Sequence, residues 1–306
     1  MIGRMYQPKR ASRSEFVPIR TLKYHVHVWG EPGPGKVPLV LVHGWMDVGA
    51  SWQFVVDAFA RDHYVIAPDW RGYGLTERPH TDNYWFPDYL ADLDFLLDHY
   101  AGEQPVHLVG HSMGGNVAML YAGARAERIR ALVNLEGFGM PATRPAQAPR
   151  RYAKWMGELK AYHRGELDLK TYDSREGVAE RLMKTNRRLG RDQAQWLAGH
   201  WAREAGDGRW HILGDAAHKI INASLFRVDE VLEIYKSISA PVLAVDASDD
   251  SLAYWWQGRF TLAEYHERLK SVPKLRMARV EDAGHMLHHD RPAEVAKLIE
   301  DFLPAG

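Results

Sequence analysis

Two observations predict an α/β fold with a mostly parallel sheet and helices on both faces. Short apolar, β-rich runs alternate with segments of helical spacing along the 306 residues, and one strand-to-helix junction reads Gly110-His111-Ser112-Met113-Gly114. Strands that alternate with helices imply parallel pairing, with the helices laid on both sheet faces. A Gly-x-Ser-x-Gly between strand and helix forces a sharp turn. It lifts the serine hydroxyl clear of the sheet and aims the first helical amides at the same spot.

The elements follow in chain order. Residues 21–29 alternate polar and apolar and predict an early strand. Residues 38–43 form a continuous apolar run suited to a strand buried on both faces. Further strands are expected over 63–67, 106–109, 131–135, 241–245 and 275–280. Helices are expected over 54–59 and 116–122. Two more open at Pro87, with Leu90, Leu93, Leu97 and Tyr100 at helical spacing, and at Pro292, with Val295, Leu298, Ile299 and Phe302 on one side.

Residues 139–235 break the alternation. They show no clear paired strands and carry Lys, Arg, Trp and Leu at helix-like spacing, which predicts a helical insertion entered through the Pro-rich stretch 141–149. The core is then 21–138 together with 236–306. Residues 1–20 are basic and polar, lack an apolar stretch of secretory-signal length and are expected to be a solvated lead. Gly30-Glu31-Pro32-Gly33-Pro34-Gly35-Lys36 approaches a phosphate-binding loop, but Val37 stands where Ser or Thr is required and a strand follows. It is a turn between strands.

Composition narrows the function. Lys plus Arg equals Asp plus Glu at 39 each, so no global charge draws the chain to nucleic acid or a membrane surface. No cysteine is present, which excludes disulfides, thiolate metal sites and a cysteine nucleophile and is compatible with a cytoplasmic location. No run of about 18 apolar residues predicts a membrane span. The sequence leaves the oligomeric state open.

A serine hydroxyl needs a base, an acid and an oxyanion site to act as a nucleophile. His285, in Asp282-Ala283-Gly284-His285-Met286 after the last predicted strand, is the expected base. His288 and His289, beside Asp290 and Arg291, are read as surface residues. His285, His288, His289 and Asp290 do not match the zinc helix spacing and lack a distant further ligand, so no metal and no cofactor are expected. Asp246, Asp249 and Asp250 follow the 241–245 strand, in the chain order serine, acid, histidine. Asp250 is the first choice of acid and Glu136, just past the 131–135 strand, is the competitor. The amide of Met113 and that of Trp45, in His43-Gly44-Trp45-Met46, are the expected oxyanion donors. Trp45 and His111 are also candidates to touch substrate. His43 is expected to fix its loop by hydrogen bonds.

His43-Gly44-Trp45, Asp69-Trp70-Arg71-Gly72-Tyr73-Gly74, Gly110-His111-Ser112-Met113-Gly114-Gly115 and Gly284-His285 together resemble the α/β-hydrolase fold family, in its order and spacing, from about residue 21 to 303. The resemblance implies an eight-stranded, mostly parallel sheet with a helical cap, formed here by 139–235. The family's acid loop reads strand, Gly-x-x-Asp; here it is Ala247-Ser248-Asp249-Asp250, while some members place the acid after the preceding core strand, where Glu136 stands. Members that open epoxides or displace halide carry aspartate at the elbow, so Ser112 implies acyl transfer. Hydrolysis of a small or medium, largely apolar carboxylic ester is the leading expectation. A carbon–carbon hydrolase, a thioesterase, a cofactor-free perhydrolase or a non-catalytic binding member are the alternatives. Residues 139–200 hold thirteen Lys or Arg against seven Asp or Glu, densest at Arg187, Arg188 and Arg191, and are read as a solvated face.

Overall fold

The computed structural model describes residues 6–304. Eight strands form the main sheet: β1 (Arg13–Ile19), β2 (Leu22–Trp29), β3 (Leu39–Val42), β4 (Val65–Pro68), β5 (Val106–His111), β6 (Ile129–Leu135), and, after the insertion, β10 (Val242–Ala247) and β11 (Leu275–Val280). Their order is β1-β2-β4-β3-β5-β6-β10-β11. The two pairings that involve β2 are antiparallel, and every other pairing is parallel. The central strands β3, β4 and β5 are buried along their whole length, as their continuous apolar sequences require.

Helices α1 (Gln53–Ala58), α2 (Pro87–Ala101) and α3 (Met113–Ala124) follow β3, β4 and β5. The insertion carries α4 (Ala148–His163), α5 (Arg175–Thr185) and α6 (Arg191–Trp201), and then come α7 (Val228–Lys236), α8 (Ser251–Trp256), α9 (Leu262–Leu269), α10 (Leu287–Asp290) and α11 (Pro292–Phe302). One sheet face packs on α2, α3, α7 and α9 through Leu93, Val117, Val231 and Tyr265. The other packs on α1 and α11 through Val55, Val295 and Ile299. Among the described residues no helix is long and apolar enough to cross a membrane.

Three expectations change. The lead is not a solvated tail throughout: residues 13–19 form the edge strand β1, paired with β2, with Val17 and Ile19 buried. Residues 1–5 of the expected lead lie outside the described residues. The insertion is not all helical: β7 (Thr171–Tyr172), β8 (Ala202–Glu204) and β9 (Trp210–Ile212) form a small antiparallel sheet of order β7-β9-β8. These runs are two or three residues long, too short for a period-two pattern to register. Finally, α7 packs on α3 and buries Val231 and Tyr235 in the main core, so the chain rejoins the core before residue 235.

The insertion has its own apolar cluster around Val178, Leu182, Leu189 and Leu197. Its polar ties reach the loops at the carboxyl ends of the strands. Trp201 Nε1 donates to Asp47 Oδ1 at 3.2 Å, and Arg188 forms a two-point ion pair with Asp249 at 2.7 and 3.2 Å.

Candidate active site

The register of the sheet sets the site. His111, the last residue of β5, pairs with Leu135, the last of β6. The next residue of each strand is Ser112 and Glu136, so the two leave the sheet side by side. Their amides donate to the carbonyls of the neighbouring strands, Ser112 to Leu135 at 2.9 Å and Glu136 to Val245 at 3.1 Å. Both take positive φ, 53° for Ser112 and 55° for Glu136. For non-glycine residues this is a strained conformation that the surrounding structure must hold in place.

The elbow tolerates that strain because its flanks are bare. A Cβ on Gly110 would collide with the Gly114 carbonyl, and one on Gly114 with the Val42 carbonyl of β3. Gly44 is equally constrained: a Cβ there would stand 3.1 Å from Ser112 Cβ and 3.0 Å from His111 Nδ1. The loop after β3 therefore lies directly against the elbow.

His285 enters from the loop between β11 and α10. Its Nε2 lies 2.8 Å from Ser112 Oγ, and its Nδ1 lies 3.2 Å from Glu136 Oε2. With Nδ1–H donating to the carboxylate, Nε2 is free to accept from the serine hydroxyl. Glu136 is almost wholly buried. Its Oε1 accepts from the Ala247 amide at 2.7 Å and its Oε2 from the Ser251 hydroxyl at 2.8 Å. Burial pushes its carboxyl up to about 7, against the downward pull of those two hydrogen bonds. Burial also pushes the His285 imidazole down to about 3, which holds the ring neutral. The ring is flanked by Trp255, edge-on at 4.3 Å, and by Phe138, stacked at 6.5 Å.

The carboxylate facing His285 is thus Glu136 and not Asp250. Asp250 lies three residues beyond β10 and caps α8, accepting from the Ala253 amide at 2.8 Å. Asp249 is paired with Arg188, and Asp246 with His266 at 2.6 Å. Each of the strand-end aspartates is engaged elsewhere. Ser251, the donor that steadies Glu136, escaped the sequence reading; nothing in its neighbourhood marks it as facing a residue 115 positions away.

His111 is not placed to touch substrate. It is buried behind the elbow, where its Nε2 donates to the His285 carbonyl at 2.7 Å, and burial pushes it down to about 3. It positions the loop that carries His285. His288 and His289 are not surface residues: both are buried, with His288 against His111 and Trp52.

Met113 opens α3, so its amide is among those left without an intrahelical partner. Trp45 follows Gly44 on the facing loop and is half exposed. His43 holds that loop: its Nδ1 donates to the Gly44 carbonyl at 2.8 Å and its Nε2 accepts from the Trp70 amide at 2.9 Å. The Asp69–Gly74 motif is structural. Asp69 accepts from the Gly49 and Leu75 amides, and Arg71 makes a two-point pair with buried Asp92.

A strained elbow serine aligned with an imidazole and a buried carboxylate, on a mostly parallel sheet wrapped by helices, defines a hydrolase of the α/β class. The chain belongs to the α/β hydrolase fold family, whose model matches residues 37–292. It is 29% identical over 303 residues to a serine hydrolase-like protein of Danio rerio, covering 96% of this chain and 89% of that one. Over 106 residues, 34% of this chain and 38% of the relative, it is 37% identical to a 2-hydroxy-6-oxo-2,4-heptadienoate hydrolase of Pseudomonas putida. Among solved structures, the thioesterase domain from the curacin biosynthetic pathway superposes with a TM-score of 0.79 at 22% identity, covering 95% and 99% of the two chains. This is a likeness of fold.

Proposed function

We propose that the protein hydrolyses a small or medium, largely apolar carboxylic ester through an acyl-enzyme on Ser112. The observation that carries this reading is the run of contacts from Ser112 Oγ to His285 Nε2 at 2.8 Å and from His285 Nδ1 to Glu136 at 3.2 Å.

Ser112 Oγ attacks the ester carbonyl carbon while His285 Nε2 takes its proton. Glu136 keeps the ring in the tautomer with Nδ1 protonated and offsets the charge of the imidazolium. The amides of Met113 and Trp45 receive the developing oxyanion; a donor of this kind contributes about 10²–10³ in rate. Collapse of the tetrahedral species breaks the bond to the leaving alcohol, which takes the proton from His285. A water molecule, deprotonated by the same ring, then attacks the acyl-enzyme and regenerates the serine. The inserted segment from residue 139 up to α7 serves as the cap, and the exposed rings of Trp45 and Trp255 supply apolar surface for the substrate.

The reading is tested with p-nitrophenyl esters of graded chain length. Turnover is expected in the wild type, with kcat lower by at least about 10³-fold in Ser112→Ala. A fluorophosphonate is expected to label Ser112 in the wild type and to leave Ser112→Ala unlabelled. Labelling without ester turnover moves the assignment to other acyl substrates. The local match to a relative named 2-hydroxy-6-oxo-2,4-heptadienoate hydrolase makes that dienoate the next substrate to assay. Absence of both labelling and turnover overturns the reading.

A further inference from the structure

Asp47 lies in the loop after β3, two residues beyond Trp45. Its Oδ1 accepts from the Ser51 hydroxyl and from Trp201 Nε1. Its Oδ2 is buried and has no hydrogen-bond partner among the described residues. Facing it, the short helix α10 presents His288 and His289. His288 Nε2 is 3.7 Å from Asp47 Oδ2, beyond hydrogen-bonding reach. His288 Nδ1 and His289 Nε2 are likewise buried without partners. One ligand atom from each of the three residues lies within 4.8 Å of the others, and all three residues are buried.

This arrangement is costly as it stands. Buried polar atoms are nearly always paired, and each one left without a partner carries a desolvation cost. A cation satisfies all three groups at once.

The other histidine–aspartate grouping shows the contrast. In His25, His27 and Asp69, His25 Nδ1 already donates to Asp69 at 2.7 Å, His25 Nε2 and His27 Nδ1 meet Ser14 and Ser12, and Asp69 accepts two backbone amides. Of these two groupings among the described residues, the Asp47 one leaves ligand atoms without partners.

We propose that Asp47, His288 and His289 form a binding site for a divalent transition-metal ion of the zinc, cobalt or nickel class. Two imidazoles and one carboxylate select such ions over magnesium or calcium, which prefer all-oxygen shells. Ser51 and Trp201 act on the outer oxygen of Asp47, as the partners of a ligating carboxylate do. The ion would clamp the loop that carries Trp45 to the segment that carries His285, from behind His111. Its role is structural, and it takes no part in the ester chemistry proposed above. Asp47 is the distant ligand that the sequence spacing around His285 does not reveal.

The test uses full-length protein stripped with EDTA and titrated with Co²⁺ or Zn²⁺. Expected are one bound ion per chain, visible Co²⁺ absorption bands of low-symmetry nitrogen–oxygen coordination, and a higher melting temperature with Zn²⁺ but not with Mg²⁺. His289→Gln and Asp47→Asn should bind at least tenfold more weakly while melting cooperatively in EDTA. Crystals grown with Zn²⁺ should show an anomalous peak between Asp47, His288 and His289, which requires no variant. A water molecule at that position, with anomalous peaks only on the surface, or equal affinity in wild type and His289→Gln, overturns the proposal. Ester turnover in the EDTA-stripped protein reads the Ser112 assignment separately.

Discussion

Ser251 and His285 meet on one oxygen: the Ser251 hydroxyl donates to Glu136 Oε2 at 2.8 Å, and His285 Nδ1 faces the same atom at 3.2 Å. Ser251 comes from the start of α8, the helix that Asp250 caps. The loop after β10 therefore contributes to the site through a hydroxyl that steadies the carboxylate, while its own aspartates point elsewhere.

Exchange of carboxylates separates the two candidate acids. Glu136→Gln is expected to lower kcat by about 10²–10⁴-fold, because an amide can hold the ring in the wrong tautomer and offers no charge to the imidazolium. Asp250→Asn should stay within about threefold of wild type, since asparagine caps a helix as well as aspartate does. Steady-state kinetics on one ester decide between them; the reverse ranking would return the role to Asp250.

The pH profile follows from the same carboxyl group. Glu136 is pushed up to about 7 and His285 down to about 3, and the active form has Glu136 ionised and His285 neutral. The ionised fraction of Glu136 is lost as pH falls, so kcat/KM should decline with an apparent midpoint near 7 that belongs to the pair. The Ser251 hydroxyl stabilises the charged form. Ser251→Ala should therefore move the midpoint to higher pH, and a shift to lower pH would contradict the hydrogen bond.

His111 offers a split between kinetic parameters. Its ring is buried and donates to the His285 carbonyl, so it holds the base without meeting the substrate. His111→Ala should lower kcat by about tenfold or more with KM within about twofold. A large rise in KM at constant kcat would restore it as a substrate contact.

Asp92 tests the scaffold. It is wholly buried, holds Arg71 through bonds of 2.6 and 2.7 Å and accepts from Tyr24 and Arg20. Asp92→Ala removes the two-point partner of the Arg71 guanidinium and leaves it Asp88 at 3.2 Å; it should cost about 3–5 kcal/mol in urea denaturation. The exposed pair Arg188–Asp249, broken in Arg188→Ala, should cost less than about 1 kcal/mol and less still at high salt.

The sequence carried the parallel strands and the elbow openly. Runs such as Leu39–Val42 are apolar throughout because they are buried on both faces, and Gly110 and Gly114 admit no side chain. The edge strand was hidden: only Val17 and Ile19 of β1 are buried, and charged neighbours gave it the look of a tail. The acid was hidden for a different reason. Glu136 and Asp250 both follow strands, and only the pairing of His111 with Leu135 brings one of them beside Ser112. Asp250 did carry a readable sign of its other role, since an aspartate ahead of Ser-Leu-Ala-Tyr is a helix cap. Asp290 and Arg291 give His288 and His289 a polar, surface-like setting in the sequence, yet the single turn of α10 buries both rings.

The pairing of Arg188 with Asp249 gives the stretch behind β10 a second occupation. Asp249 anchors the inserted segment, while Ser251, two positions on, reaches the Glu136 carboxylate. A change at Asp249 therefore reaches both sides: it frees Arg188 and removes a negative charge that helps to push the Glu136 carboxyl up.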